Sequence, residues 1–344
     1  MIDLVHRARA LADDLLFPAA EAVERAGRVP GGHLDALADA GLYGLTGPLE
    51  AGGLAAPPAT VHAVVEELAA GDLSTTFVWL QHLGLVGMLA GVPGPLREAH
   101  LADLCAGRLR SGIALLAANR PGPPAITARR DGDHVVLDGA VPWVTGWGHV
   151  DVLLVAARTA DDDVLFLLLD ATEVAGELDT VPQSMIAVTP SATVDLTLRG
   201  HRVPVDRLVL QVPFLRWRAG DQAGLRTNGS LALGVVSRCA RLLHDLAGAG
   251  GRPADAELAD AVDAELLRTR AALDAAAPAE LPEARAAASA TAHRVSGLLV
   301  AAVGSSSIGA GHPAQRLARE ALFLLVFGSR PAVRTALLGH LRDG

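Results

Sequence analysis

His134-Val135-Val136-Leu137, Val152-Leu153-Leu154-Val155, Val164-Leu165-Phe166-Leu167 and Thr193-Val194-Asp195-Leu196 are four short runs, rich in β-branched residues and leucine, within one stretch from Ile113 to about Leu210. Runs of this length and composition predict strands. The turns Arg130-Asp131-Gly132-Asp133 and Ala160-Asp161-Asp162-Asp163 leave only hairpin distances between them. Such gaps have no room for crossover helices, so a largely antiparallel sheet is expected and a doubly wound nucleotide-binding sheet is disfavoured.

On either side of this stretch the period changes. Before it, apolar residues recur three and four apart, as in Leu34, Leu37, Ala38 and Val61, Val64, Val65, Leu68, which predicts helices. Val29-Pro30-Gly31-Gly32, Gly47-Pro48 with Gly52-Gly53, and Pro93-Gly94-Pro95 divide them into four or five. From about Asp221 the helical period returns over 231–246, 256–276, 283–303 and 314–341, with a glycine-rich link at Ala247-Gly248-Ala249-Gly250-Gly251-Arg252-Pro253. The expected fold class is α+β, mainly α: an N-terminal helical domain over 1–112, a small antiparallel, barrel-like β domain over 113–212, and a C-terminal four-helix bundle over 213–344.

The 344 residues are enough for two or three packed units and a sizeable core. Although 51% of the residues are hydrophobic, runs such as 164–169 and 295–302 fall short of the roughly 20 residues that span a bilayer. The N-terminus opens into amphipathic helix without the tripartite order of a secretory signal, so a soluble, cytoplasmic protein is expected. Cys105 and Cys239 form no C-x-x-C pair, which argues against a disulfide framework and a zinc site. The net charge of -9 carries no basic stripe, and all 29 cationic residues are Arg, so neither nucleic acid nor a membrane is an expected partner.

Several strings, in this order, resemble the acyl-CoA dehydrogenase superfamily over nearly the whole chain. His33-Leu34-Asp35-Ala36-Leu37-Ala38-Asp39-Ala40-Gly41-Leu42-Tyr43-Gly44-Leu45, with Pro48 and Gly52-Gly53, is similar to the family's opening helix pair and glycine turn. Leu137-Asp138-Gly139-Ala140-Val141-Pro142-Trp143-Val144-Thr145-Gly146 is similar to the segment that sets a Trp and a Thr or Ser beside the flavin. Gly304, Pro313, Arg316-Leu317 and Arg319-Glu320 resemble the last helix pair. The resemblance implies FAD, with FMN as the alternative, near Trp143, Val144 and Thr145. The indole would stack on the ring and the hydroxyl would donate to N5. From the residues alone, Trp143 reads rather as β-domain core and Thr145 as a strand-end turn.

The chain departs from the family where chemistry is concentrated. The dehydrogenase reaction needs a carboxylate to take the α-proton. The family's turn for it reads Val326-Phe327-Gly328-Ser329-Arg330 here, and the alternative position reads Gly224-Leu225-Arg226. Neither holds an acid. Asp221 is the nearest and is the candidate base, provided the helix starts so as to bring it in. The flavin-binding Thr-Glu loop is replaced by Leu115-Leu116-Ala117-Ala118-Asn119-Arg120-Pro121, where only the backbone of Leu115, Leu116 and Ala117 remains to meet the ring edge. The family's Arg-x-x-Phe-Gly element is replaced by Gly250-Gly251-Arg252-Pro253.

Four further positions stay open. His82 is a candidate acid or base on a helix that faces the substrate cavity in the family, or a packing histidine bonded to backbone. Gly304 and Ser305 are cofactor candidates at a turn that lies near a partner chain's FAD in the family, or a plain interhelical turn. Arg330, one helical turn before Arg334, would meet an anionic substrate or flavin phosphate, or an interface carboxylate. No metal ligand set is present. Three functions compete: a flavin-dependent oxidoreductase of acyl thioesters or other small organic substrates without the usual Glu, a monooxygenase-like enzyme using reduced flavin, and a non-catalytic partner subunit of a heteromer with an intact paralogue. The resemblance implies a homodimer or homotetramer, and an oligomer is expected from the residues too, because Ala321-Leu322-Phe323-Leu324-Leu325-Val326-Phe327 is apolar around its circumference and should be buried on all sides.

Overall fold

The computed structural model describes residues 2–120, 122–220, 224–250 and 253–343. Asp221, Gly251 and Arg252 lie outside the described residues. The chain opens with α1 (Ile2–Leu11), α2 (Phe17–Ala26), α3 (Gly31–Asp39), α4 (Pro58–Gly71), α5 (Leu73–Gly91) and α6 (Pro95–Cys105). Asp72 breaks α4 from α5 with an extended backbone, φ -150°. Its carboxylate then caps α5 by accepting from the amides of Ser74 at 3.4 Å and Thr75 at 2.8 Å, an arrangement worth about 1 kcal/mol.

The sheet follows as β1 (Ser111–Ala114), β2 (Ile126–Asp131), β3 (His134–Val144), β4 (Val152–Arg158), β5 (Asp163–Asp170), β6 (Leu178–Pro182), β7 (Val194–Pro204) and β8 (Leu208–Pro213). Its order is β6-β7-β3-β2-β4-β5-β8, with β1 paired to β4 off that path. The hairpins β2–β3 and β4–β5 turn where the acidic clusters predict. Two pairings, β1–β4 and β2–β4, are parallel. These join segments that are not adjacent in sequence, so no short turn announces them. Gly139 has φ +132°, and a Cβ there would stand 2.1 Å from the Ala125 carbonyl oxygen. Glycine alone permits that crossing of β2 and β3.

The C-terminal helices are α7 (Phe214–Ala219), α8 (Leu225–Gly248), α9 (Pro253–Ala275), α10 (Leu281–Val303), α11 (Pro313–Val326) and α12 (Pro331–Asp343). The helical period over 314–341 is interrupted because Gly328 adopts φ +60° and Pro331 lacks the amide that would continue α11. α8 lies close against α4, where a Cβ on Gly234 would meet the Glu66 carbonyl oxygen at 2.5 Å. One apolar core joins the helices, and a second joins the sheet to α5 and α6. α5 and α10 are long and apolar enough to cross a membrane by length and composition, yet both contribute heavily to these cores. Cys105 and Cys239 are buried free thiols. Within the single chain α11 is covered on one side: Leu317, Ala321 and Leu324 are buried, whereas Leu322 is 42% and Val326 70% exposed. This chain leaves an apolar strip of α11 uncovered.

Candidate functional site

Helix α5 is where the separate segments converge. A Cβ on Gly84 would touch Ile113 of β1 at 3.2 Å, and one on Gly146, just after β3, would touch Val78 at 3.5 Å. The 3-10 turn Thr189–Ser191 before β7 also packs on α5. One residue from Val78, Phe77 packs its ring against Phe323 and Phe327. The β1 exit, the end of β3, the entry to β7 and the end of α11 therefore meet around one helix, though they span more than 200 residues of sequence.

The β-domain wall of this site is strained and polar. Between Val141↔Leu196 and Val144↔Val194 the β3–β7 register shifts by one residue, a bulge that carries Trp143. Its φ is +63°, and 51% of the residue is exposed. Bulges re-aim side chains beside functional sites. Across the ladder, Val188 and Ala192 also adopt φ +48° around the 3-10 turn. Each such residue costs on the order of 1–3 kcal/mol, and a β-branched valine is the severest case. The distorted loop aligns three buried hydroxyls: Ser191 Oγ lies 2.9 Å from Thr193 Oγ1, which lies 3.2 Å from Thr145 Oγ1. If Ser191 donates to Thr193 and Thr193 to Thr145, the Thr145 proton stays available for a further acceptor. Ser191 and Thr193 escaped the sequence reading. Their only signal was two hydroxyls flanking a small residue at a strand entry.

The turn after β1 carries further unpaired polar groups. Among the described residues, the amides of Leu116 and Ala117 have no hydrogen-bond partner, although Ala117 is fully buried. Asn119 Oδ1 is also buried without one. Buried unpaired groups cost about 1–3 kcal/mol each. An uncovered indole to stack on, a Thr145 hydroxyl able to donate in that arrangement, and amides without partners suit a flat heteroaromatic ring with acceptors along its edge, and the Asn119 carbonyl adds one acceptor.

The opposite wall, at the end of α11, is apolar. Phe323 and Phe327 stack with centroids 5.4 Å apart and an interplanar angle of 19°. Phe77 meets them edge-on at 5.2 and 4.9 Å. The Phe327–Arg330 turn is held from beneath by Arg285 of α10, which is 2% exposed. Its guanidinium donates to Ser289 Oγ and, at 3.4 Å each, to the carbonyls of Leu324 and Phe327. Ser289 Oγ donates to Leu324 as well, at 2.9 Å. Burial pulls the Arg285 pKa down to about 10. Gly328 faces Asn228 in the first turn of α8, and a Cβ there would stand 2.9 Å from the Asn228 amide nitrogen. Nearby Arg226 is committed to Asp274 at 2.8 Å and to Ser230 Oγ at 2.9 Å.

The other sequence candidates fall in several places. His82 is 1% exposed. Its Nδ1 accepts from the Ser111 amide at 3.1 Å, so Nε2 must carry the proton given to the Leu104 carbonyl at 3.0 Å. Burial lowers its pKa to about 4, opposed by the Leu104 bond and assisted by Arg110. Both nitrogens are thus spent on backbone, tying α5 to the start of β1. Leu115 lies at the β1 exit and Val144 in the β3 core. Arg330 donates to the Gly328 carbonyl at 3.1 Å. Gly304 and Ser305 sit at the α10–α11 turn, about 20 Å along α11 from Phe327. Asp221 lies outside the described residues.

Three comparisons bear on this architecture. Residues 2–108 match the family of acyl-CoA dehydrogenase N-terminal domains. A 3-sulfinopropanoyl-CoA desulfinase from Variovorax paradoxus is 26% identical over 99% of this chain and 94% of its own length. Among solved structures, butyryl-CoA dehydrogenase from Megasphaera elsdenii superposes with a TM-score of 0.85 at 16% identity, over 100% of this chain and 98% of that one. Dibenzothiophene monooxygenase from Paenibacillus sp. A11-2 does so at 0.82 and 17%, over 100% and 96%. The chain thus resembles the acyl-CoA dehydrogenases in its N-terminal domain and shares their fold along its length.

Proposed function

We propose that this chain is a flavin-dependent oxidoreductase of acyl thioesters or similarly small organic substrates that works without a carboxylate in its terminal turn. The observation that carries this is the pairing of a polar, strained wall around Thr145 with a terminal turn, Val326-Phe327-Gly328-Ser329-Arg330, that holds no acid at either Phe327 or Gly328. Trp143 would hold the flavin by stacking, Thr145 by its hydroxyl, and Leu116 and Ala117 by their amides. Bound flavin, FAD or alternatively FMN, would supply two-electron chemistry at its ring. Gly304 and Ser305 are assigned to a neighbouring protomer's cofactor, and Arg330 to positioning the turn. His82 serves as support, since it has neither a lone pair nor a proton to offer. One relative aligned along nearly the whole chain is named for a CoA thioester with a three-carbon acyl group, which puts short thioesters first among substrates to test.

The test is a flavin titration of the purified chain, followed by α-deuterium exchange from labelled butanoyl-CoA. The expected outcome is saturable flavin uptake, a thioester-dependent change in the flavin spectrum, and no exchange. Phe327→Glu should then introduce exchange at least tenfold above wild type. Exchange in the wild type, abolished by Asp221→Asn, would instead place the base at Asp221.

The missing carboxylate also favours a monooxygenase-type reaction, which needs no α-proton base, and the fold shared with dibenzothiophene monooxygenase is compatible with it. Uptake of reduced but not oxidised flavin, with oxygen consumption, would select that reading. No flavin uptake in either state would leave a partner subunit completing a heteromer with an intact paralogue. A soluble homodimer or homotetramer sealed over Leu322 and Val326 accompanies the enzyme readings. Light scattering of the wild type and Val326→Arg would show it as loss of the larger species in the variant.

A further inference from the structure

We infer that the cleft between α3, the α6–β1 turn and the β3–β4 loop is a second binding site, taking a small organic oxyanion, either a phosphate ester or a carboxylate. The inference stands apart from the flavin reading, since no residue of the cleft belongs to the wall around Thr145.

The cleft encloses about 680 Å³, a volume in the range of small-molecule sites. Arg110 stands at the entry to β1 and Leu115 at its exit. The four residues of β1 therefore set the cleft and the β1-exit turn roughly 13 Å apart. Leu34, Ala38 and Val150 give the cleft apolar sides for the body of a ligand.

Charge is unequal along the cleft. Arg28, His149 and Gly31, at the start of α3, line one end, whereas Asp39 lies two helical turns further along α3, about 12 Å away. Arg28 donates to the Gly148 carbonyl at 2.7 Å, and among the described residues its guanidinium pairs with no carboxylate. The neighbouring charges are committed: Arg110 to Asp35 at 2.6 Å, the Asp151 carboxylate to the Arg110 amide at 2.8 Å, and Arg108 to Asp103 at 2.8 Å. Arg28 is thus the arginine of the cleft left to meet a ligand, and guanidinium groups hold phosphate and carboxylate oxygens by paired hydrogen bonds.

The surroundings of His149 record the same excess of positive charge. Its Nε2 and Arg110 Nε are buried without a hydrogen-bond partner. Burial, then Arg28 and Arg110, lower the His149 pKa to about 4. An anion beside Arg28 would neutralise that field. The wall is also preformed, because the His149 amide donates to the Gly146 carbonyl at 2.8 Å and the Trp147 amide to the Ala192 carbonyl at 3.1 Å. Little ordering then opposes binding.

The experiment is NMR of the full-length protein with labelled histidine, titrated with glycerol 3-phosphate, succinate and inorganic phosphate. The His149 signal, assigned by its loss in His149→Gln, should shift saturably with the phosphate ester or with succinate while the His82 signal does not move. Whichever of the two binds more tightly names the class. Inorganic phosphate, lacking an organic body, should bind about tenfold more weakly than that ligand. Arg28→Ala should weaken binding about tenfold, with Arg28→Lys restoring part of it. Asp39→Asn, which removes an opposing charge, should tighten binding about twofold. A His149 signal unmoved by millimolar amounts of all three probes, or a shift that Arg28→Ala leaves unchanged, would overturn the site. Equal affinity for inorganic phosphate would overturn its assignment to an organic ligand.

Discussion

The β-domain wall and the terminal wall of the site are built on opposite principles. The first spends stability on unusual backbone: Trp143, Val188 and Ala192 all sit at positive φ, Leu116 and Ala117 have unpaired amides, and hydroxyls rather than apolar groups fill the space between Thr145 and Ser191. The second is satisfied and closed. Its rings stack, its carbonyls are bonded, and its turn rests on a buried arginine. Strain and unpaired polar groups persist where a ligand repays them, whereas good packing has no such need. On the proposed function, ligand binding would be concentrated on the β-domain side, with the α11 side supplying shape.

The sharpest way to break this contrast is to remove the support beneath the terminal wall. Arg285→Ala should cost about 3 kcal/mol in urea unfolding, because it opens a cavity and strips donors from two carbonyls and Ser289. Arg285→Met, which refills the volume, should cost less than half of that. A loss under about 0.5 kcal/mol for the alanine variant would mean the turn is not held from beneath.

Acid should loosen the other wall through His82. Its pKa falls from the ordinary 6.5 to about 4 in the folded chain, so the unfolded state binds more protons between those values. Stability is fully present above about pH 6.5 and is lost as pH falls toward 4, by on the order of 3 kcal/mol from this residue. Half-buried His62 and His149, also lowered to about 4 mainly by burial, act in the same direction. Urea titrations from pH 7 to 4 should show the decline, and His82→Gln should flatten it.

A smaller effect separates strain from function. Trp143→Gly should raise the melting temperature, since glycine accepts φ +63° and relieves about 1 kcal/mol. The same change should weaken flavin binding at least tenfold through the lost stacking surface. A variant that is less stable and binds flavin normally would assign Trp143 to the core instead. Smallest is Thr193→Val, which cuts the hydroxyl chain at its centre. It should cost about 1 kcal/mol and weaken flavin binding about threefold, as read by thermal melts and flavin titration.

Much of this protein was written in its sequence. The switch from a helical period to β-branched runs at Ile113 and back near Asp221 set out helices, sheet and helices, because burying one face forces that spacing. The acidic and glycine turns placed the β2–β3 and β4–β5 hairpins for a similarly local reason. The absence of an acid at Phe327 and Gly328 needed only the order of residues in one turn. What tertiary structure alone decided joins residues far apart. Thr145 meets Thr193 across 48 positions, and Phe77 meets Phe327 across 250. The bulge that lifts Trp143 outward arises from pairing with β7 rather than from its own neighbours. His82 read more readily as a packing residue than as an acid–base group, and which backbone groups it meets, Ser111 and Leu104, only packing decided. Periodicity records which side of an element is buried, but which atoms meet there is set by packing between elements, and a linear pattern carries no distance between them.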